Sequence, residues 1–117
     1  MGNKIKTGQQ GEAAAAQLLQ TKGYEVVTRN YRHKKSEIDL IVRKDNWLVF
    51  VEVKTRRSQA FGYPEEFLGA QQVEKILEGA AAYLEQTNWQ GNVRYDIVAV
   101  SICGGELLAE HIEDAFY

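Results

Sequence analysis

Asp39, Glu52 and Lys54 are the residues of this 117-residue chain whose types and spacing could do chemistry. They fall in two short stretches, Glu37-Ile38-Asp39-Leu40 and Glu52-Val53-Lys54. Alternate residues of a strand share a face, so Glu52 and Lys54 point the same way. Leu48 and Phe50 share that face, and Val49, Val51 and Val53 the other, so residues 47–54 read as a central strand buried on both sides. Asp39 lies in a second apolar run, residues 36–43, where alternation puts Ile38, Leu40 and Val42 on one face and Glu37, Asp39 and Ile41 on the other. A short turn at Lys44-Asp45-Asn46 would join the two runs as a hairpin and set Asp39 across from Glu52 within about one residue of register. Two carboxylates about 4 Å apart repel by roughly 4 kcal/mol at an effective dielectric of about 20. Such a pair needs a proton, a cation or a metal. Lys54 supplies one positive charge, and a hard divalent cation, Mg²⁺ or Mn²⁺, would supply the rest. The constellation suits phosphodiester hydrolysis: carboxylates hold the ion against the phosphate, and the lysine orients water and stabilises transition-state charge. On spacing alone, a buried structural salt bridge between Glu52 and Lys54 accounts for the same residues equally well.

These residues need elements to position them. Thr7-Gly8-Gln9-Gln10 has capping-box spacing, which predicts a first helix from near Gly8 that stops at Gly23. Glu12 then falls on a stripe with Ala15, Ala16 and Leu19. An inward Glu12 would seek the carboxylate–lysine cluster; the other reading has it favour the helix N-terminal dipole. Residues 24–31 read as a strand before the hairpin. Residues 55–64, with the only proline, read as a loop. A second helix follows, from 65 or 69 to 86, with Val73, Ile76, Leu77, Ala80, Ala81 and Leu84 at helical spacing. Strands at 93–102 and 107–112 complete the order α-β-β-β-α-β-β. The helix between the third and fourth strands allows those two to lie parallel. The expectation is a mixed sheet with one helix on each face, or both on one.

The length suits a single domain over residues 1–117. The longest strongly apolar stretch, Trp47 to Val51, is far short of the ~20 residues a bilayer span needs. With no apolar signal core at the N-terminus, a cytoplasmic protein is the default expectation. The lone Cys103 cannot form an internal disulfide and, in an apolar strand pattern, reads as an inert core thiol. His111 reads as a surface or strand-end residue. Net charge is −2, which does not suit a general nucleic-acid binder. Its distribution is uneven. From Arg29 to Arg57 nine Lys and Arg face four acids, a net +5, and the rest carries −7. A basic segment in an acidic body can steer a phosphate backbone to one face, though a solvated basic hairpin has the same composition. Arg56 and Arg57 follow the lysine and could contact flanking phosphates, as could Arg29, Arg32, Lys34 and Lys35. Phe61-Gly62-Tyr63-Pro64 is an aromatic loop that could stack on a base or simply cover the core.

The order of motifs resembles the YraN-like bacterial proteins, predicted endonucleases distantly related to archaeal Holliday junction resolvases. Those belong to the restriction-endonuclease-like superfamily with its PD-(D/E)xK active-site pattern. The resemblance runs through Gly8-x-x-Gly11-Glu12-x-x-Ala15, Gly23-Tyr24, Arg29-Asn30-Tyr31-Arg32, Glu37-Ile38-Asp39-Leu40-Ile41 and Leu48 to Arg56. It continues through Phe61 to Glu65, Ala81-x-Tyr83-Leu84, Arg94-Tyr95-Asp96 and Ala115-Phe116. It implies an α/β, restriction-endonuclease-like mixed β-sheet flanked by helices. It also implies Asp39, Glu52 and Lys54 as the catalytic set, with Glu12 as the helix acid supporting the metal and Glu37 as a further acid. The implied activity is a metal-dependent endonuclease on DNA, with branched or structured DNA among its candidates and RNA separable by substrate trials, and a symmetric homodimer suits such a substrate. The alternative is a non-catalytic nucleic-acid- or partner-binding module of the same fold. Two departures stand out: Ser36 replaces a usual glycine, and Gln72 occupies a position that is usually Lys, which weakens DNA contact by that helix.

Overall fold

The computed structural model describes the backbone of residues 2–56 and 68–116, with side chains from Gly8 onward. The elements are α1 (Gly2–Thr21), β1 (Glu25–His33), β2 (Ser36–Lys44), β3 (Trp47–Arg56), α2 (Ala70–Thr87), β4 (Asn92–Cys103) and β5 (Glu106–Ile112). They form a five-stranded sheet in the order β1-β2-β3-β4-β5. The pairs β1–β2, β2–β3 and β4–β5 are antiparallel. The crossover through α2 makes β3–β4 parallel, from Trp47↔Asn92 to Arg56↔Ser101. The predicted element order therefore holds, and the choice left open for the helices resolves to one on each face. Among the described residues no helix is long and apolar enough to cross a membrane.

The two apolar clusters follow from alternation along β3. Val49 and Val51 join Leu40, Val42, Val98 and Val100 beneath Ala15, Ala16 and Leu19 of α1. Leu48 and Phe50 join Ile38 and Ile41 beneath Ile76 and Ala80 of α2. Phe50 stacks on Tyr95 at 5.6 Å and receives the edge of Tyr83 at 6.0 Å. Each such fully buried large apolar side chain contributes about 1.5–3 kcal/mol. β3 is thus a central, double-sided strand, and it carries Glu52 and Lys54 beyond its apolar stretch, on the α2 side.

Several boundaries differ from those read in the sequence. α1 begins at Gly2, not near Gly8. The Thr7 capping spacing is overridden because nothing between Gly2 and Thr7 stops helical backbone from running on. The hairpin turn is narrower than expected: Lys44 pairs with Trp47, and Asp45 turns the chain at φ 54. Cys103 is half-buried at the end of β4, beside the Gly104-Gly105 turn, and not a core thiol.

Gly11 lets α1 reach β3. A Cβ on Gly11 would fall within the side chain of Thr55, 2.9 Å from its Cβ. Thr55 is β-branched and cannot rotate that carbon away. Gly11→Ala is therefore expected to lift α1 off the sheet beside Glu12 and to cost about 1–3 kcal/mol, as overpacking does. Urea denaturation of the variant checks this.

A second polar cluster lies on the α1 side of the sheet toward the β4–β5 edge, with Asp96 in register with Val51 of β3. Asp96 is fully buried. It accepts two hydrogen bonds from Arg94, Nε and Nη2 each at 2.8 Å, one from the Asp114 amide at 3.0 Å, and lies 2.6 Å from His111 Nε2. Arg94 also donates to the Tyr24 hydroxyl at 2.6 Å, and Lys22 Nζ lies 2.6 Å from His111 Nδ1. A lysine ammonium only donates, so His111 accepts at Nδ1 and donates from Nε2 to Asp96. The His111 side chain is 2 % exposed and sits near the end of β5, so of the two readings the strand-end one holds. Burial alone would raise the Asp96 pKa, but hydrogen bonds from Arg94, His111 and the Asp114 amide hold it below the ordinary value.

Candidate active site

The site forms where β2 and β3 part. Their ladder ends at Leu40↔Val51, so Asp39 and Glu52 are the next residues out on each strand. β2 loses its alternation there. Ile38 packs with Ile41 on the α2 side, while Leu40 and Val42 pack on the α1 side. The expected Ile38-Leu40-Val42 face is thereby corrected: the faces switch at Asp39, while the β1–β2 register is the same on either side of it. On β1, pairing runs through Arg29↔Leu40 and Tyr31↔Ile38, and Asn30 between them has φ 52. Asp39 uses the gap. Its Oδ2 accepts the Val53 amide at 2.7 Å, where a ladder carbonyl would otherwise sit.

A hydrogen bond between the Asp39 and Glu52 side chains favours the charged form of Asp39 and the neutral form of Glu52. Burial raises both carboxyl groups above their ordinary pKa values. For Glu52 burial is joined by the charge of Asp39, and the group is pushed up to about 8. Lys54 counters in part, its Nζ 3.6 Å from Glu52 Oε2. The raised Glu52 carboxyl favours its neutral form beside Asp39. Its proton stands in for a missing positive charge, as the repulsion argument requires.

The sign of the linkage is definite. Glu52 titrates higher in the folded chain than its ordinary 4.5. The folded state therefore binds more protons between that value and about 8, and stability falls as pH rises through this window. The metal-free protein is expected to melt at progressively lower temperature from pH 5 to pH 8, a slope that Glu52→Gln reduces. Scanning calorimetry across that range checks it.

Glu12 stands beside this pair. Partial burial and the charge of Asp39 raise its pKa, while a hydrogen bond with Asn30 opposes the rise. Glu12 thus faces the site through electrostatics, with Asn30 as its direct partner. Among the described residues no three His, Cys, Asp or Glu side chains are arranged to hold a metal ion. What the described residues offer a cation here is two adjacent carboxylates. Mg²⁺ keeps several of its waters and is commonly held by one or two carboxylates, so this donor set fits it.

Five further basic residues lie toward the same end of the sheet, since the end of β3 lies beside the start of β2 and the end of β1, whereas Arg43 and Lys44 sit at the opposite end, at the β2–β3 turn. Arg29 and Arg32 are exposed on β1, and Lys34 and Lys35 are exposed in the β1–β2 turn. Arg32 lies 3.5 Å from Glu37, an exposed pair of little energetic weight. Arg56 ends β3. Arg57 and the aromatic loop Phe61-Gly62-Tyr63-Pro64 lie outside the described residues.

Two site residues were not readable as such from the sequence. Asn30 meets Glu12, and Gln72 of α2 meets both Glu52 and Lys54. Their signals were faint: an Asn inside a strand pattern is unfavourable there, and Gln72 heads the stripe of Ile76 and Ala80 that faces the sheet.

Fold and site together define an α/β protein with a buried carboxylate pair and a lysine where β2 and β3 part. Residues 11–100 match the model of the uncharacterised protein family UPF0102, and the chain belongs to that family. It is similar to the UPF0102 protein of Cytophaga hutchinsonii, 42% identical over 94% of this chain and 95% of the relative. It is also similar to the UPF0102 proteins of Syntrophomonas wolfei, 39% identical over 91% and 93%, and Nitratidesulfovibrio vulgaris, 40% identical over 94% and 83%.

Proposed function

We propose that the chain is a metal-dependent endonuclease of the PD-(D/E)xK type that hydrolyses phosphodiester bonds in DNA, branched or structured DNA foremost. The supporting observation is the meeting of Asp39 and Glu52 where the β2–β3 ladder ends, with Lys54 alongside. A structural Glu52–Lys54 bridge would need no second carboxylate pressed against it. Asp39 and Glu52 would hold Mg²⁺ or Mn²⁺, and cation binding would release the Glu52 proton. When bound, such an ion acidifies water and neutralises charge on phosphoryl oxygens. Lys54 faces the same space and would stabilise the charge that grows on the phosphate as water attacks phosphorus and the bond to the leaving oxygen breaks. Glu12 would hold a water at the edge of the site. Arg29, Arg32, Lys34, Lys35 and Arg56 would contact phosphates of the strand and position it without reading its sequence. The same reading puts the protein in the cytoplasm, and a symmetric dimer would match a two-fold junction.

The test is a panel of junction, flap, single-stranded and duplex DNAs, with matching RNAs, incubated with purified protein and Mg²⁺ or Mn²⁺. Metal-dependent cutting of DNA that stops with chelator is expected. An intact panel, with binding that is salt-sensitive but indifferent to metal, would favour a non-catalytic nucleic-acid-binding module instead.

A further inference from the structure

Gln72 enters the site from the first turn of α2 and touches both functional residues of β3. Its Nε2 donates to Glu52 Oε2 at 2.6 Å, and its Oε1 accepts from Lys54 Nζ at 3.3 Å. Glu52 and Lys54 are farther from each other, 3.6 Å. The ammonium has only donors to offer, and Glu52 Oε2 serves here as an acceptor. The amide therefore has one orientation in which both contacts attract. Flipped, its carbonyl would face the carboxyl oxygen and its NH₂ the ammonium. The helix behind it is firmly seated, with Ile76 and Ala80 buried against the sheet one and two turns on.

We infer that Gln72 is a positioning residue: its amide fixes Glu52 and Lys54 relative to each other, so that the carboxylate faces a bound cation while the ammonium faces the phosphate. This rests on the nuclease reading above. A neutral amide suits the task because it adds no charge. Asp39, Glu52 and Lys54 fully ionised sum to −1, which leaves the site attractive to a divalent cation.

Gln72→Met keeps the length and helix preference of the side chain and removes both hydrogen bonds. Nuclear magnetic resonance on the metal-free full chain tests the bridge itself. The Gln72 side-chain amide signals, assigned by their loss in Gln72→Met, are expected apart from those of exposed glutamines, slow to exchange with water, and shifted by Glu52→Gln. Calorimetry tests the consequence. Mn²⁺ affinity is expected to fall about ten- to a hundredfold in Gln72→Met, as when a partner behind a metal ligand is removed, with the metal-free melting temperature little changed. In the cleavage assay kcat should fall while KM for DNA holds. Gln72 signals indistinguishable from exposed glutamines, or a Gln72→Met protein that binds Mn²⁺ and cuts DNA as the wild type does, would overturn the inference and leave the nuclease reading standing. A wild type that binds no Mn²⁺ while its bridged amide signals are present would instead overturn the nuclease reading and take the inference with it.

Discussion

Asp39→Asn and Lys54→Ala are each expected to lower metal-dependent cleavage by about 10³-fold, the scale lost when one preorganised electrostatic group is removed from a reaction centre. The two variants should part company in stability. Asn at position 39 keeps an oxygen that can accept the Val53 amide, the contact Asp39 makes at 2.7 Å. It also removes one of two repelling charges, so the metal-free Asp39→Asn protein should be at least as stable as the wild type at pH 8. Lys54→Ala removes the cation 3.6 Å from Glu52, leaving the carboxyl with burial and Asp39 against its ionised form. Its stability should therefore fall more steeply with rising pH. Cleavage kinetics and thermal melts on the same preparations check both halves. A merely structural cluster would show the opposite coupling, with activity following stability.

The largest stability effect is expected one strand over, on the α1 face of the sheet. Asp96 is fully buried under two Arg94 contacts, His111 and the Asp114 amide. Asp96→Ala strands the Arg94 guanidinium and the His111 ring without their shared acceptor. Removing one partner of a buried pair costs about 3–5 kcal/mol, a large part of the stability of a domain this size. Urea denaturation should show that loss as a lower midpoint with little change in slope. The pH dependence has the reverse sign to that of Glu52. The Asp96 carboxyl is held below its ordinary value, so its contribution is present above pH 4 and lost as pH falls further. Together the two sites predict a metal-free protein most stable in mildly acid solution, with Mg²⁺ moving the optimum upward.

Much of this arrangement was legible in the residues. The double-sided run from Leu48 to Val53 marked the central strand, and the helix after it implied the parallel β3–β4 pair. Counting back from the turn at Asp45 placed Asp39 across from Glu52, which is where the ladder ends. What escaped were features set by tertiary contact. The break in β2 at Asp39 left no mark in an alternating Ile38-Leu40-Val42 pattern, because each residue is apolar and fits either face. Helix α1 ran past its expected cap because local capping spacing is a weak signal against continuing helical backbone. Gln72 seemed a weakening departure at a helix start, and its role depends on α2 seating it over β3. The burial of His111 escaped because nothing in the sequence near it signals a buried partner 15 residues earlier; Asp96 and His111 meet only when β5 pairs with β4.

The central claim is that Asp39 and Glu52 together hold one divalent cation. Anomalous diffraction from a crystal of the full chain soaked in Mn²⁺ at pH 8 tests it most directly. The account predicts a single strong peak bridging the two carboxylates, with Lys54 and Gln72 alongside and no peak in an Asp39→Asn crystal. Manganese bound elsewhere on the chain, with the Asp39–Glu52 hydrogen bond still intact beneath it, would contradict the account.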